Sequence, residues 1–508
     1  MRIDSVEFQD FKNLGGVPIE FAGDHDTSVI VGRNGTGKSN LLEGLAIIFR
    51  DLDLGRPSDL DYEIRYECRG RIVELRSKSR KPAALVDGEK TGIGEIRAHG
   101  SLFRPDFVFG YYSGPSNRFE SVFLEHERNF YRALLNAETP PLRSLFFARP
   151  HHSQFVLLAF ATTNDTTTDE FLTEELRIQG IDSVTFVLQE PPWAGSNKDP
   201  HDFWGARGTV RGFLDRLQQR SAPLTPRTET EETRSRAATP VRRAYLHLLS
   251  VDKLQELASS YGRQREFFSA LESMSLSDLL YEVRVEVVVE GANKPLEFRE
   301  LSEGEQQLLV VLGLLQFTAQ DEALYLLDEP DTHFNPAWSL SFTRHARRFL
   351  GDSGRNHLIM ATHDPLVIAD LTADQVVLLE RRGDQLVAGS PEEDPRGQGV
   401  AGLLTSDIYG LRSQLDLTTL EVLDRKRRLA AKVELTEQES AELKRLNDEL
   451  HGLDSASNVR DPAYAVWLEA YNRRSLEEGL DERTLTPEQR ETQKALALEI
   501  LRDVEAPE

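Results

Sequence analysis

The stretch Val29-Ile30-Val31-Gly32-Arg33-Asn34-Gly35-Thr36-Gly37-Lys38-Ser39-Asn40 decides the fold. Three β-branched residues run into the octet Gly32 to Ser39, which fits Gly-x-x-x-x-Gly-Lys-Ser at every fixed position. Beyond it Leu41, Leu42, Leu45, Ile48 and Phe49 recur at helical spacing, so the unit reads strand, loop, helix. That order implies phosphate binding. Gly32, Gly35 and Gly37 let backbone N–H groups turn inward, Lys38 neutralises the β- and γ-phosphates, Ser39 supplies a magnesium ligand, and the helix N-terminus adds its dipole.

Working outward, Ile3, Val6 and Phe8, then Val17, Ile19 and Phe21, alternate with polar residues and predict strands ahead of the loop, giving a first lobe over 1–120. Residues 121–280 read as a mainly helical insertion, broken by a strand at Ser183–Gln189 and by a polar, mobile loop at Ser221–Pro240. Alternation resumes at Tyr281, Val283, Val285 and Val287 and opens a second lobe, 281–405. From 406 to 508 the chain reads as helical. Thr436 with Glu439, and Thr486, Pro487 and Gln489, carry N-terminal capping patterns, and Leu443, Leu446, Leu450 and Leu453 form one apolar stripe.

The second lobe holds the remaining chemistry. Ala323 to Leu327 is an apolar run ending in Asp328 and Glu329, so a buried strand presents two carboxylates at its C-terminal tip, where open α/β sheets bind ligands. Asp328 suits magnesium and Glu329 suits general-base activation of a water. Twenty-six residues before Asp328 lies Leu301-Ser302-Glu303-Gly304-Glu305-Gln306. Ser302 and Glu305 form a capping box for the helix that follows, and a capped helix start beside Gly304 is also an anion site. His363 ends another apolar run, Ile359 to Thr362.

Composition limits the alternatives. Net charge is −24, from 84 acidic and 60 basic residues, so a basic nucleic-acid surface must be local. The run Arg425–Arg428 is one candidate, although solvated charge on a helix accounts for it equally. The single cysteine, Cys68, excludes an intramolecular disulfide framework. His151 and His152 are expected on the surface, with no metal cluster. No apolar run approaches a bilayer span and the N-terminus lacks a signal pattern, so a cytoplasmic location with no membrane contact is expected.

Together the octet, Leu301–Gln306, Asp328–Glu329 and His363 resemble the SMC, RecF and OLD class of ATP-binding cassette ATPases, in residues 1–120 and 281–380. Asn34 and Asn40 match that class's variant of the loop. The resemblance implies an α/β fold, a cassette-type P-loop head with a mixed, largely parallel sheet, an inserted helical lobe and a helical C-terminal tail. It implies ATP and Mg2+ as ligands, with Gly32, Asn34, Gly35, Gly37, Lys38, Ser39, Asn40 and Lys12 on the nucleotide, and Ser39 and Asp328 on the metal. Ser302, Gly304, Glu305 and Asp331 would complete a partner's site in a homodimer or higher homo-oligomer, while Glu329, His363 and Lys38 act in hydrolysis. The glutamine usual after the first lobe is missing; Ser113 or a water stands there.

Overall organisation is similar to the ATPases of the Septu antiphage systems, which implies a partner nuclease of the HNH type and leaves direct nucleic-acid contact possible. A RecF-like DNA-repair ATPase and a transporter energy-coupling subunit are the alternatives. Val287 to Gly291 resembles the opening of a Toprim nuclease, but it precedes the class's signature motif, Leu301–Gln306 here, and lacks a downstream Asp-x-Asp, so no nuclease site is expected in this chain.

Overall fold

The computed structural model describes residues 1–452 except 24, 99, 139–142, 163–164, 198, 234–235, 319–320, 352–353, 383–384, 414, 431 and 433–434, and beyond 452 only residue 495. The chain divides into two compact units, Met1–Leu411 and Arg412–Glu508.

The first unit is organised by a seven-stranded sheet in the order Gln385–Gly389, Val376–Arg382, Thr27–Gly32, Asn356–Ala361, Ala323–Asp328, Phe107–Tyr112, Leu145–Phe147. Every pairing is parallel except the one made by the edge strand Gln385–Gly389. Both faces are covered, which is why these strands read as continuous apolar runs. Side chains alternate between two cores: Tyr325 and Leu327 enter one, Leu324 and Leu326 the other. Asp328 stands opposite both Ala361 and Tyr112, so the strand ends share one edge of the sheet.

On one face lie the helix Lys38–Asp53 and a six-stranded antiparallel sheet, Val17–Glu20, Arg2–Phe8, Tyr62–Cys68, Arg71–Lys78, Lys81–Val86 and Glu89–Thr91. Phe8 sits so close to this helix that a Cβ on Gly44 would lie 2.5 Å from its ring. The other face carries the helices His152–Phe160, Gln264–Leu276, Glu303–Thr318 and Pro336–Leu350.

The insertion differs from its sequence reading. Helix outweighs strand over 121–280, but the one expected strand is joined by others in an antiparallel sheet, Thr225–Thr233, Arg236–Leu248, Ile178–Gln189, Leu280–Val289 and Leu296–Glu297, packed with the helices Gly208–Gln218 and Val251–Ser259. The polar stretch expected to be a mobile loop holds paired antiparallel strands, with Arg227 opposite Arg243 and Glu229 opposite Val241. Leu280–Val289, expected to open the second ATPase lobe, pairs instead with Ile178–Gln189 inside the insertion. Val287–Gly291 thus belongs to an ordinary lobe strand and the turn after it.

In the second unit the described helices are Leu417–Ala430 and Glu437–Gly452. The expected capping box is present: the Thr436 N–H donates to Glu439 at 3.0 Å and the Glu439 N–H to the Thr436 hydroxyl at 3.3 Å. Arg425, in the basic run, pairs with Glu442 at 2.5 Å. Leu453, Thr486, Pro487 and Gln489 lie outside the described residues. Among the described residues no helix is long and apolar enough to cross a membrane.

Candidate nucleotide site

At the shared edge of the seven-stranded sheet the chain brings together Lys38, Ser39, Asp328, Glu329 and His363. The loop enters from Thr27–Gly32 and turns with positive φ at Gly32, Gly35 and Gly37, of 152°, 82° and 103°. A Cβ on Gly32 would sit 2.3 Å from the Leu379 carbonyl, so only glycine fits between the loop and its neighbouring strand. Helix Lys38–Asp53 then starts without a side-chain cap, leaving its first N–H groups for an anion.

Lys38 is buried and folds back, donating to the Gly32 carbonyl at 2.9 Å. Burial lowers its pKa to about 8, against the opposing pull of Glu329 and Asp328. Asp328 is 3% exposed. Its carboxyl is raised to about 6 by burial, despite a hydrogen bond from Ser39, and its Oδ1 has no partner among the described residues. A buried carboxylate with one orphaned oxygen, joined to a serine hydroxyl, is a donor set that fits a hard divalent cation such as magnesium.

Glu329 has a left-handed backbone, φ 51°, a strained conformation for a residue with a side chain. The surroundings hold it there: its N–H donates to Ala361 at 2.9 Å, and its carbonyl accepts from Ser113 at 2.7 Å and Thr332 at 2.9 Å. Its carboxylate lies 3.2 Å from His363 Nε2, while His363 Nδ1 lies 3.4 Å from Lys38 Nζ. Lysine only donates, so Nδ1 is the acceptor and Nε2 carries the proton toward Glu329. Burial, and then Lys38, lower the His363 pKa and keep the ring neutral.

The other expected residues divide. Asn40 donates to Asn13 at 2.7 Å, and Asn13 donates to the Gly35 carbonyl at 2.8 Å, so Asn40 braces the loop at second hand. Lys12 pairs with Glu43 at 2.5 Å, and Asn34 is exposed at the loop tip. Asp331 is buried and accepts from the Thr362 hydroxyl. Ser302 and Glu305 make the full reciprocal box, with the Ser302 N–H to Glu305 at 2.7 Å and the Glu305 N–H to Ser302 at 3.2 Å. Gly304 lies against the chain after Asp331, where a Cβ would come 2.3 Å from the His333 carbonyl. Among the described residues no hydrogen bond or ion pair joins Ser302, Gly304 or Glu305 to the loop Gly32–Ser39.

Asn13, Glu43 and Thr362 escaped the sequence reading. Asn13 and Glu43 had a signal in their nearness to Lys12 and the loop helix; Thr362 had only its place before His363.

His151 and His152 were expected at the surface, and only His151 is there. His152 is fully buried and, with His151 and Glu272, forms the one cluster of metal-ligand type among the described residues. Its Nδ1 accepts from the Arg149 N–H at 2.8 Å, its Nε2 lies 2.8 Å from Glu272, and Arg143 takes the other Glu272 oxygen at 2.6 Å. The histidine and the arginine, despite burial, hold the Glu272 carboxyl down at about 2. The His152 Nε2 and the second Glu272 oxygen face each other without hydrogen-bond geometry, and with the Arg143 guanidinium alongside this is a buried, packed ion-pair network.

Residues 28–369 match the family model described as "AAA domain, putative AbiEii toxin, Type IV TA system". No curated protein matches the chain. Among solved structures, the SMC head domain from Thermotoga maritima is 15% identical, with 77% of this chain and 100% of that one covered at a TM-score of 0.32. An Smc head bound to the C-winged helix domain of ScpA is 12% identical, covering 77% and 98% at 0.33. Stu0660 of Streptococcus thermophilus is 12% identical, covering 97% and 99% at 0.27.

Proposed function

The chain belongs to this AAA-domain family of ATPases, and from that premise we propose that it is a magnesium-dependent ATPase whose heads dimerise through composite ATP sites to regulate a partner nuclease in antiphage defence. The observation that carries the enzymatic reading is the convergence of Lys38, Ser39, Asp328, Glu329 and His363 at one sheet edge, with a buried carboxylate oxygen left unpaired.

The uncapped start of helix Lys38–Asp53 and the inward N–H groups of the loop bind the phosphates, and Lys38 leaves the Gly32 carbonyl for the β- and γ-oxygens. Ser39 and Asp328 would hold magnesium, which when bound would neutralise charge on those oxygens. Glu329 takes the proton of the attacking water, aimed by its fixed left-handed backbone, and the neutral His363 donates from Nε2 toward the terminal phosphate or Glu329. The capped corner Ser302–Glu305, with Ser302 exposed and no hydrogen bond to its own loop among the described residues, meets the γ-phosphate held by a second copy. Support for the defence role comes from overall organisation: the compact insertion, the Tyr111-Tyr112-Ser113-Gly114 segment at the site, and the C-terminal helices.

The deciding experiment is Glu329→Gln. ATP affinity stays while turnover falls by roughly 10²–10⁴, and light scattering after gel filtration with Mg-ATP gives twice the monomer mass. Normal turnover in this variant rejects Glu329 as the base, and a monomer with ATP bound rejects the composite site.

A further inference from the structure

We propose that Arg118 is a γ-phosphate-binding residue of this site, stored on Glu43 in the nucleotide-free chain and transferred to the terminal phosphate when ATP binds. The proposal rests on the ATP reading above and adds to it the residue that tells ATP from ADP.

Arg118 comes six residues after the strand Phe107–Tyr112, which pairs with the strand that ends in Asp328. The turn between them is pinned at its start, where Ser113 donates to the carbonyl of Glu329 at 2.7 Å. Gly114 follows so close to Tyr112 that a Cβ there would fall 2.1 Å from the phenol oxygen. From the tip of Glu329 the turn therefore reaches to the loop helix, where Arg118 Nε lies 2.8 Å from Glu43 Oε2. Glu43 is four residues after Ser39 on that helix, so the two share a face with Cβ atoms about 5–6 Å apart. The guanidinium is thus parked one helical turn behind the hydroxyl that bonds Asp328. Its charge is already felt there, since it helps hold the Asp328 carboxyl down against burial and does the same for the Tyr112 phenol.

The parking place is easy to leave. Arg118 is 51% exposed, and an ion pair of that kind adds little to folding. Glu43 is buried but also holds Lys12 at 2.5 Å, so it stays paired when Arg118 departs. A planar guanidinium with five donors suits a terminal phosphate better than it suits one shared carboxylate oxygen. Lys38 approaches the phosphates from the loop, and Arg118 arrives from the strand on the opposite side of Asp328 and Glu329.

The test measures Mg-ATP and Mg-ADP affinity, steady-state turnover and thermal midpoint for the unaltered full chain, Arg118→Ala and Arg118→Lys. Arg118→Ala should weaken ATP about tenfold and leave ADP within about twofold, with kcat lower by about 10²-fold or more. Arg118→Lys should recover part of the ATP preference, and all three proteins should melt together. Equal losses for ATP and ADP, or no loss for either, overturn the assignment while leaving the ATPase reading standing. Failure of the unaltered chain to bind ATP overturns that reading and this inference with it.

Discussion

The helix starts at Lys38 and at Glu303 both lie in glycine-bearing motifs, yet they are finished in opposite ways. Lys38–Asp53 begins with an uncapped left-handed Gly37, beside a desolvated lysine and a carboxylate with an unpaired oxygen. Glu303–Thr318 begins with a complete Ser302–Glu305 box, in which each side chain satisfies the other's backbone. The first corner carries strain and unmet polar groups in the single chain, which is how a ligand site is kept ready. The second is at rest, its backbone groups already satisfied within the single chain, and on the proposed reading it meets phosphate only when a second copy arrives.

The sharpest way to break that contrast is Ser302→Arg. Placed at an exposed position that makes no hydrogen bond to its own loop among the described residues, the arginine should leave ATP binding by one chain unchanged while blocking approach of a partner's γ-phosphate. Hydrolysis should fall by about 10²-fold or more, the loss expected when a charge-stabilising group is removed, with nucleotide affinity measured alongside. A fully active Ser302→Arg protein shows that the corner takes no part in the site.

Next in size is Asp328→Asn, which tests whether the loop corner is held at a cost. Burial raises this carboxyl from the ordinary aspartate range to about 6, so folding favours its protonated form. Its contribution is fully stabilising below about pH 4 and is lost as pH rises through about 6. The neutral amide of the variant keeps a partner for Ser39 and avoids that loss. The nucleotide-free variant should therefore match the unaltered protein near pH 4 and exceed it by on the order of 2 kcal/mol at pH 7.5, read from denaturant unfolding, while magnesium-dependent ATP binding disappears. A variant less stable at pH 7.5 would mean that the carboxylate is paired and the corner relaxed.

These two corners were legible because strand alternation, apolar runs and fixed motif spacing all pointed the same way. The continuous runs Val29–Val31 and Ala323–Leu327 are what a sheet covered on both faces requires. The insertion was illegible for a physical reason. Thr225 to Thr233 alternates threonine with glutamate and arginine, so neither face carries an apolar code, although the strand pairs along its length with Arg236–Leu248. His152 misled similarly, because its burial depends on Glu272 and Arg143, residues remote in sequence or in another element. The left-handed backbone of Glu329 and the pairing of Arg118 with Glu43 are products of tertiary packing and carry no local signature.

The smallest effect should come from Glu305→Gln, which asks what keeps the signature corner closed. The amide still accepts from the Ser302 N–H and hydroxyl, both now 2.7 Å from one Glu305 oxygen, so the box survives and the helix loses a few tenths of a kcal/mol from its dipole. Removing the carboxylate's charge also removes an anion beside the place where, in the proposed dimer, a partner's γ-phosphate would arrive. A weaker cap and less repulsion act in the same direction, so ATP-driven dimerisation should tighten by about two- to fivefold, measured by sedimentation in the Glu329→Gln background where turnover does not dissolve the dimer. If Glu305→Gln weakens the dimer instead, the carboxylate is itself part of the interface, and the resting box is already the form that the second chain recognises.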